Sequence, residues 1–138
     1  VEYEKYVMHR QIEANILMDM ARNTILPAAI SYQNFLLENI IGVDEVFGKK
    51  GKNMTFPQRD ILTKTSTLVN ELYAALSNLK ENKIKVNSRK NPYKIADGYG
   101  TVITPLIEEL GEICTQLEGL IDNELWPIPK FHELLFTR

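Results

Sequence analysis

The sequence predicts an all-α protein: an antiparallel bundle of three long helices, followed by an extended and packed C-terminal tail. Apolar residues recur with helical spacing over three long stretches, and capping residues or glycine bound these stretches. We find no strand-like alternation of apolar and polar residues. The length of 138 residues, with 44% hydrophobic and 25% charged residues, is typical of one globular domain. We therefore treat residues 1–138 as a single helical domain.

The first helix is expected over about residues 2–41, with Gly42 as the residue that ends it. Pro27 lies inside this helix and has no N–H to bond the Asn23 carbonyl, so we expect a bend there. The helix is longer than the next one, and its first turns should extend beyond the bundle. Unless the tail covers them, four apolar side chains there would need a partner: Tyr3, Tyr6, Val7 and Ile12.

The second helix is expected over about residues 56–83. Thr55 and Gln58 form a capping-box pattern at its start. Lys80 and Lys83 suit the negative end of its dipole.

The third helix is expected over about residues 92–124, where apolar residues recur about every 3.6 positions. Asn91 followed by Pro92 reads as an N-cap and the first helical residue. Pro105 should bend this helix as Pro27 bends the first, and Gly98 and Gly100 favour a bend or a close helix approach.

The tail, residues 125–138, holds the only tryptophan and a cluster of large apolar side chains. Left in water, they would expose several hundred Å² of apolar surface, so we expect the tail to pack against its own domain or a partner. The bend and tail positions form one set of predicted structural or interface residues: Pro27, Pro105, Trp126, Pro127, Pro129, Phe131, Leu134, Leu135 and Phe136.

The residues themselves predict no catalytic centre. His9 and His132 are the only histidines, and no Glu stands three residues before a His, as a di-iron bundle requires. Cys114 lies on the apolar face of the third helix without a basic neighbour, which predicts a buried and unreactive thiol. The net charge of −2 gives no general attraction to nucleic acid, although the stretch from Lys80 to Lys94 leaves a phosphate contact open.

Two segments resemble the type III glutamine synthetases. Residues 12–29 (IEANILMDMARNTILPAA) are similar to a long helix of that family with an IEA…M…D…ILPA run. Residues 125–136 are similar to its tail, which has a Trp-Pro-x-Pro motif and closes with Leu-Leu-Phe. The helix order and the proline in the third helix also agree.

The resemblance implies a large cytoplasmic enzyme that forms glutamine from glutamate and ammonia with ATP and a divalent metal, Mg or Mn. The family's ligands lie in a catalytic domain that would precede Val1, so we expect no catalytic, cofactor-binding or metal-binding residue in this chain. It would be a fragment serving packing, oligomer assembly or regulation. The implied partners are the catalytic domain and sister subunits of a large homo-oligomer, with neither nucleic acid nor membrane among them.

A second interpretation is a self-contained helical interaction module that shares the tail by chance. The reading frame upstream of Val1 separates the two: a nearby start codon without a catalytic domain favours the module.

Overall fold

The computed structural model describes residues 2–121, and within that range the predicted all-α class is confirmed. The first long helix comprises α1 (Glu2–Met20), a π-helical turn (Ala21–Ile25) and α2 (Leu26–Phe47). A 3-10 segment (Gly48–Met54) leads to α3 (Phe56–Asn87). The third helix comprises α4 (Pro92–Gly98), a second π-helical turn (Tyr99–Ile103) and α5 (Thr104–Leu120). The predicted tail, residues 125–138, lies outside the described residues.

The first helix does not end at Ile41 as predicted; it passes through Gly42 and ends at Phe47. Gly48 ends it instead, with φ of 61° and its N–H donating to the Asp44 carbonyl. Positive φ is the conformation in which glycine has an advantage over other residues. The penalty of an exposed glycine at position 42 is about 1 kcal/mol, which the tertiary contacts of the following turn outweigh.

The predicted start of α3 is confirmed, but its predicted capping box is not formed. The Thr55 hydroxyl donates to the Gly51 carbonyl, and the Gln58 amide donates to Asn39 of α2. The helix also continues four residues beyond Lys83, because Val86 is buried in the core.

The predicted cap of the third helix is confirmed, since the Asn91 side chain accepts a hydrogen bond of 2.8 Å from the Tyr93 N–H. This helix ends at Leu120 rather than Glu124, and Ile121 is extended. Gly98 marks a close approach to α3: a Cβ there would lie 2.7 Å from a methyl group of Val86.

Each of the two prolines expected to bend a helix follows a π-helical turn. Before Pro27 the Leu26 N–H reaches back to the Ala21 carbonyl, and before Pro105 the Thr104 N–H reaches back to the Tyr99 carbonyl. A proline removes the hydrogen bond that would hold the preceding turn in α geometry, so a wider turn is accommodated there. The bends themselves remain predictions.

Hydrogen bonds between the first helix and α3 fix their relative direction. They join, in order along the first helix, Gln11 with Asn87, Asn15 with Lys83, Gln33 with Ser66 and Asn39 with Gln58. The partners on α3 run backward as the first helix runs forward, which is the order of antiparallel neighbours. The core enclosed by the three helices is mainly aliphatic and includes Ile25, Leu72, Leu79, Ile103, Leu110 and Leu117.

Candidate functional site

The side chains that could perform chemistry are not brought together in the part of the chain that the structure describes. His9 is exposed on α1, and Glu108 and Glu112 are exposed on α5. No group of three or more His, Cys, Asp or Glu able to hold a metal ion occurs among residues 2–121. His132 lies outside that range.

Cys114 is buried in α5, as its place on the apolar face predicted. Burial disfavours the charged thiolate and raises the pKa of Cys114 to about 11 from its ordinary value of 9.0. A thiol with so high a pKa is a poor nucleophile at neutral pH.

The N-terminal turns of the first helix are covered, contrary to the predicted overhang. The Tyr3 ring lies 4.9 Å from the Tyr93 ring of α4, and the hydroxyls of Tyr6 and Thr104 are 3.3 Å apart. Val7 is partly buried against the core, whereas Ile12 is half exposed. The third helix starts beside α1 and covers these first turns. The sequence had suggested that the tail or a partner would cover them.

Apolar side chains remain exposed along one line of α1. Met8, Ile12 and Ile16 recur at a spacing of four residues and are 53%, 50% and 63% exposed. Residues four apart lie above one another on a helix, so they form a continuous row, here called the α1 apolar row. A second group surrounds the 3-10 segment at the opposite end of the bundle: Val46, Phe47, Met54 and Phe56.

A groove of about 580 Å³ runs between the first helix and the C-terminal half of α3. Its charged side chains are Asp19 and Arg22 from the first helix and Lys80 and Lys83 from α3. Apolar side chains also line it: Met18, Leu26, Tyr73, Leu76 and Ile84. We refer to it as the basic groove.

Two of the four charged groups in the basic groove are held by neighbouring amides. The Lys83 ammonium donates to the Asn15 side chain across the groove, and the Asn23 amide donates to Asp19 at 2.7 Å. The side chains of Arg22 and Lys80 make no hydrogen bond or ion pair within residues 2–121.

Sequence reasoning placed Lys80 and Lys83 at a helix end and missed Arg22 altogether. One sequence pattern could have indicated Arg22. Asn15, Asp19 and Arg22 are spaced by four and three residues, which puts them on one polar helix face. Of the predicted structural or interface positions, Pro27 and Pro105 are exposed on the first and third helices. The seven others, from Trp126 to Phe136, lie outside the described residues.

Among residues 2–121, we find no helix with the length and hydropathy of a membrane-spanning segment. Residues 1–44 match the family model described as the glutamine synthetase C-terminal domain. This stretch contains most of the first helix, including the 12–29 run that carried the resemblance.

Two relatives match along essentially the whole chain. A glutamine synthetase from Bacteroides fragilis (strain YCH46) is 36% identical over 139 aligned positions, which cover 100% of this chain and 19% of that protein. A type-3 glutamine synthetase from Dictyostelium discoideum is 27% identical over 138 positions, covering 99% of this chain and 19% of that protein. The chain thus spans about a fifth of the length of these relatives. The matched family model and the end-to-end similarity to these two relatives together make the chain similar to the C-terminal domain of the glutamine synthetases.

Proposed function

We propose that this chain is a non-catalytic C-terminal domain of a type III glutamine synthetase and that it contributes contacts for packing and oligomer assembly. The observation that carries the proposal is the α1 apolar row. Three large apolar side chains, aligned and at least half exposed, are a costly arrangement in water, and such patches usually mark an interaction surface.

The partners proposed for this surface are the catalytic domain of the same enzyme and its sister subunits. The chain corresponds to 19% of each relative's length, which leaves most of such an enzyme to supply the chemistry. ATP and a divalent metal, Mg or Mn, would bind in that catalytic domain. The enzyme would act in the cytoplasm, and neither nucleic acid nor membrane is among the proposed partners.

The tail belongs to the same proposal. Trp126, Phe131 and Phe136 are large apolar groups of a kind that dominates interface energetics when buried. We propose that the tail and the two prolines serve packing, in this domain or against a neighbour.

Substitution of the α1 apolar row in the full-length enzyme tests the proposal. Ile12→Glu combined with Ile16→Glu keeps good helix formers but places two charges on the row. Both side chains are exposed within residues 2–121, so the domain should keep its fold, as circular dichroism of the 138-residue chain can verify. We expect sedimentation velocity to show smaller particles at a concentration where the parent enzyme is fully assembled.

The matched control is Thr67→Glu combined with Asn70→Glu, which adds the same charge at exposed polar positions of α3. We expect this control to sediment like the parent. If the Ile12 and Ile16 variant also sediments like the parent, the α1 apolar row is not an assembly surface and the proposal fails.

A further inference from the structure

We propose that the basic groove binds a small organic anion, one whose carboxylate or phosphate oxygens are attached to an apolar body. The groove contains none of the residues of the α1 apolar row. Its occupancy can be measured on the 138-residue chain alone.

The charge of the groove favours an anion. Three cationic side chains line the groove and only one carboxylate faces them, so its side chains carry a net charge of +2, from three positive charges and one negative. The carboxylate of Asp19 already accepts a hydrogen bond from Asn23. The groove therefore presents an excess of positive charge to anything that enters it.

Two of the cationic side chains in the groove also have unused hydrogen-bond donors. The side chains of Arg22 and Lys80 have no hydrogen bond or ion pair within residues 2–121, whereas the Lys83 side chain is held in place by Asn15. A guanidinium binds carboxylate or phosphate oxygens through two parallel N–H donors, and an ammonium adds a point charge. Because Arg22 and Lys80 come from opposite walls, an anion between them would contact both helices.

The helix dipole does not account for this arrangement. It favours lysines near the end of α3, and Lys80 and Lys83 lie within its last eight residues. Arg22 lies in the interior of the first long helix, within the π-helical turn Ala21–Ile25. Neither helix end explains a cation there.

The size and the lining of the groove favour a ligand with an apolar body. The volume of about 580 Å³ lies within the range of pockets that hold small molecules. Met18, Leu26 and Leu76 supply apolar lining, and the ring of Tyr73 offers a flat surface. An inorganic ion would leave this lining unused, which favours an organic anion.

The test is amide NMR of the 138-residue chain, titrated at constant ionic strength with phthalate or with phenyl phosphate. The two probes distinguish carboxylate from phosphate recognition. Benzyl alcohol is the uncharged control, because it has an aromatic ring but no anionic group. We expect saturable shifts, with Kd on the order of 1 mM or tighter for at least one anion, confined to amides of residues 15–26 and 73–87. Benzyl alcohol should bind at least tenfold more weakly than that anion, as judged from the same amide shifts.

Replacing both cations, by Arg22→Gln combined with Lys80→Gln, should raise the Kd for the anion at least tenfold. The control, Lys49→Gln combined with Lys52→Gln, changes net charge equally in the 3-10 segment and should alter Kd less than twofold. Equal weakening in both variants, shifts spread over all cationic residues, or no saturation with either anion would overturn the proposal. The parent's shift map decides the question even if a variant fails to fold. None of these outcomes bears on the sedimentation of the full-length enzyme, so the two proposals fail separately.

Discussion

The Tyr99 hydroxyl donates a hydrogen bond of 2.6 Å to the side-chain oxygen of Asn87. Tyr99 is fully buried and opens the second π-helical turn, while Asn87 is the last residue of α3. The bond thus joins the end of α3 to the middle of the third helix, near the connection between them. Asn87 also accepts from Gln11 of α1, so one amide oxygen links all three helices.

Tyr99→Phe removes only the hydroxyl of that bond. We expect a loss of about 1 kcal/mol in the free energy of unfolding, because the hydrogen bond made by the fully buried Tyr99 is lost. Urea denaturation measures this loss. Tyr93→Phe is the control: its side chain is exposed, so stability should change by less than about 0.5 kcal/mol. Equal stability of the two variants would show that the Tyr99 bond adds nothing.

Gly98→Ala should destabilise the protein by about 1–3 kcal/mol, because the new Cβ would lie 2.7 Å from both Val86 and Arg89 atoms. The comparison is Gly111→Ala, where a Cβ meets nothing within 4 Å. There the gain in helix propensity should stabilise the protein by about 0.5–1 kcal/mol. Thermal midpoints that move in the same direction for both variants would contradict the close approach of the third helix to α3.

Thr65 and Thr55 are both fully buried, yet they should respond in opposite ways to replacement by valine. The Thr65 hydroxyl has no hydrogen-bond partner, so Thr65→Val removes an unsatisfied polar group and should be neutral or stabilising. The Thr55 hydroxyl donates to Gly51 and accepts from Arg59, so Thr55→Val should cost about 1–3 kcal/mol. Urea denaturation of both variants gives the difference directly, and a stable Thr55 variant would refute its role in holding the 3-10 segment.

Cys114 should be unreactive towards a disulfide reagent at pH 8 in the folded protein and reactive after unfolding, because its pKa is raised to about 11 by burial. Since the thiolate is disfavoured in the folded state, stability from this group is lost as pH rises above the ordinary value of 9.0.

The stability difference between the parent and Cys114→Ala isolates that contribution from other groups that titrate at high pH. We expect the difference to shrink by about 1 kcal/mol between pH 8 and pH 10. A difference independent of pH, or rapid labelling of the folded protein, would mean that the thiol is not buried as described.

Local sequence rules predicted those features that depend on local chemistry. The Asn91 cap needs only its own side chain and the next turn, and Cys114 follows the period of its helix. The close approach at Gly98 was also indicated, since a glycine in a helix often marks one.

The errors occur where tertiary contacts outweigh local preference. Gly42 has the signature of a helix end, but the Asp44 carboxylate binds Arg59 at 3.0 Å and the buried Ile40 anchors the same turn. The Thr55 hydroxyl prefers the Gly51 carbonyl to its own helix. The sequence does not show the pairing of Asp44 with Arg59 or of Thr55 with Gly51, because both form only when the first helix and α3 pack together.

The candidate site was missed for a related reason. Arg22 lines the basic groove only because α3 runs antiparallel to the first helix and brings Lys80 and Lys83 opposite it. Residues this far apart in the sequence carry no spacing signal for each other.

The central claim, that this domain contributes contacts rather than chemistry, is tested most directly by the activity of the 138-residue chain on its own. Supplied with glutamate, ammonium and MgATP, the chain should release no ADP above the blank rate, whereas the full-length enzyme assayed in parallel should release it steadily. Glutamate-dependent ADP release by the 138-residue chain alone would contradict the account.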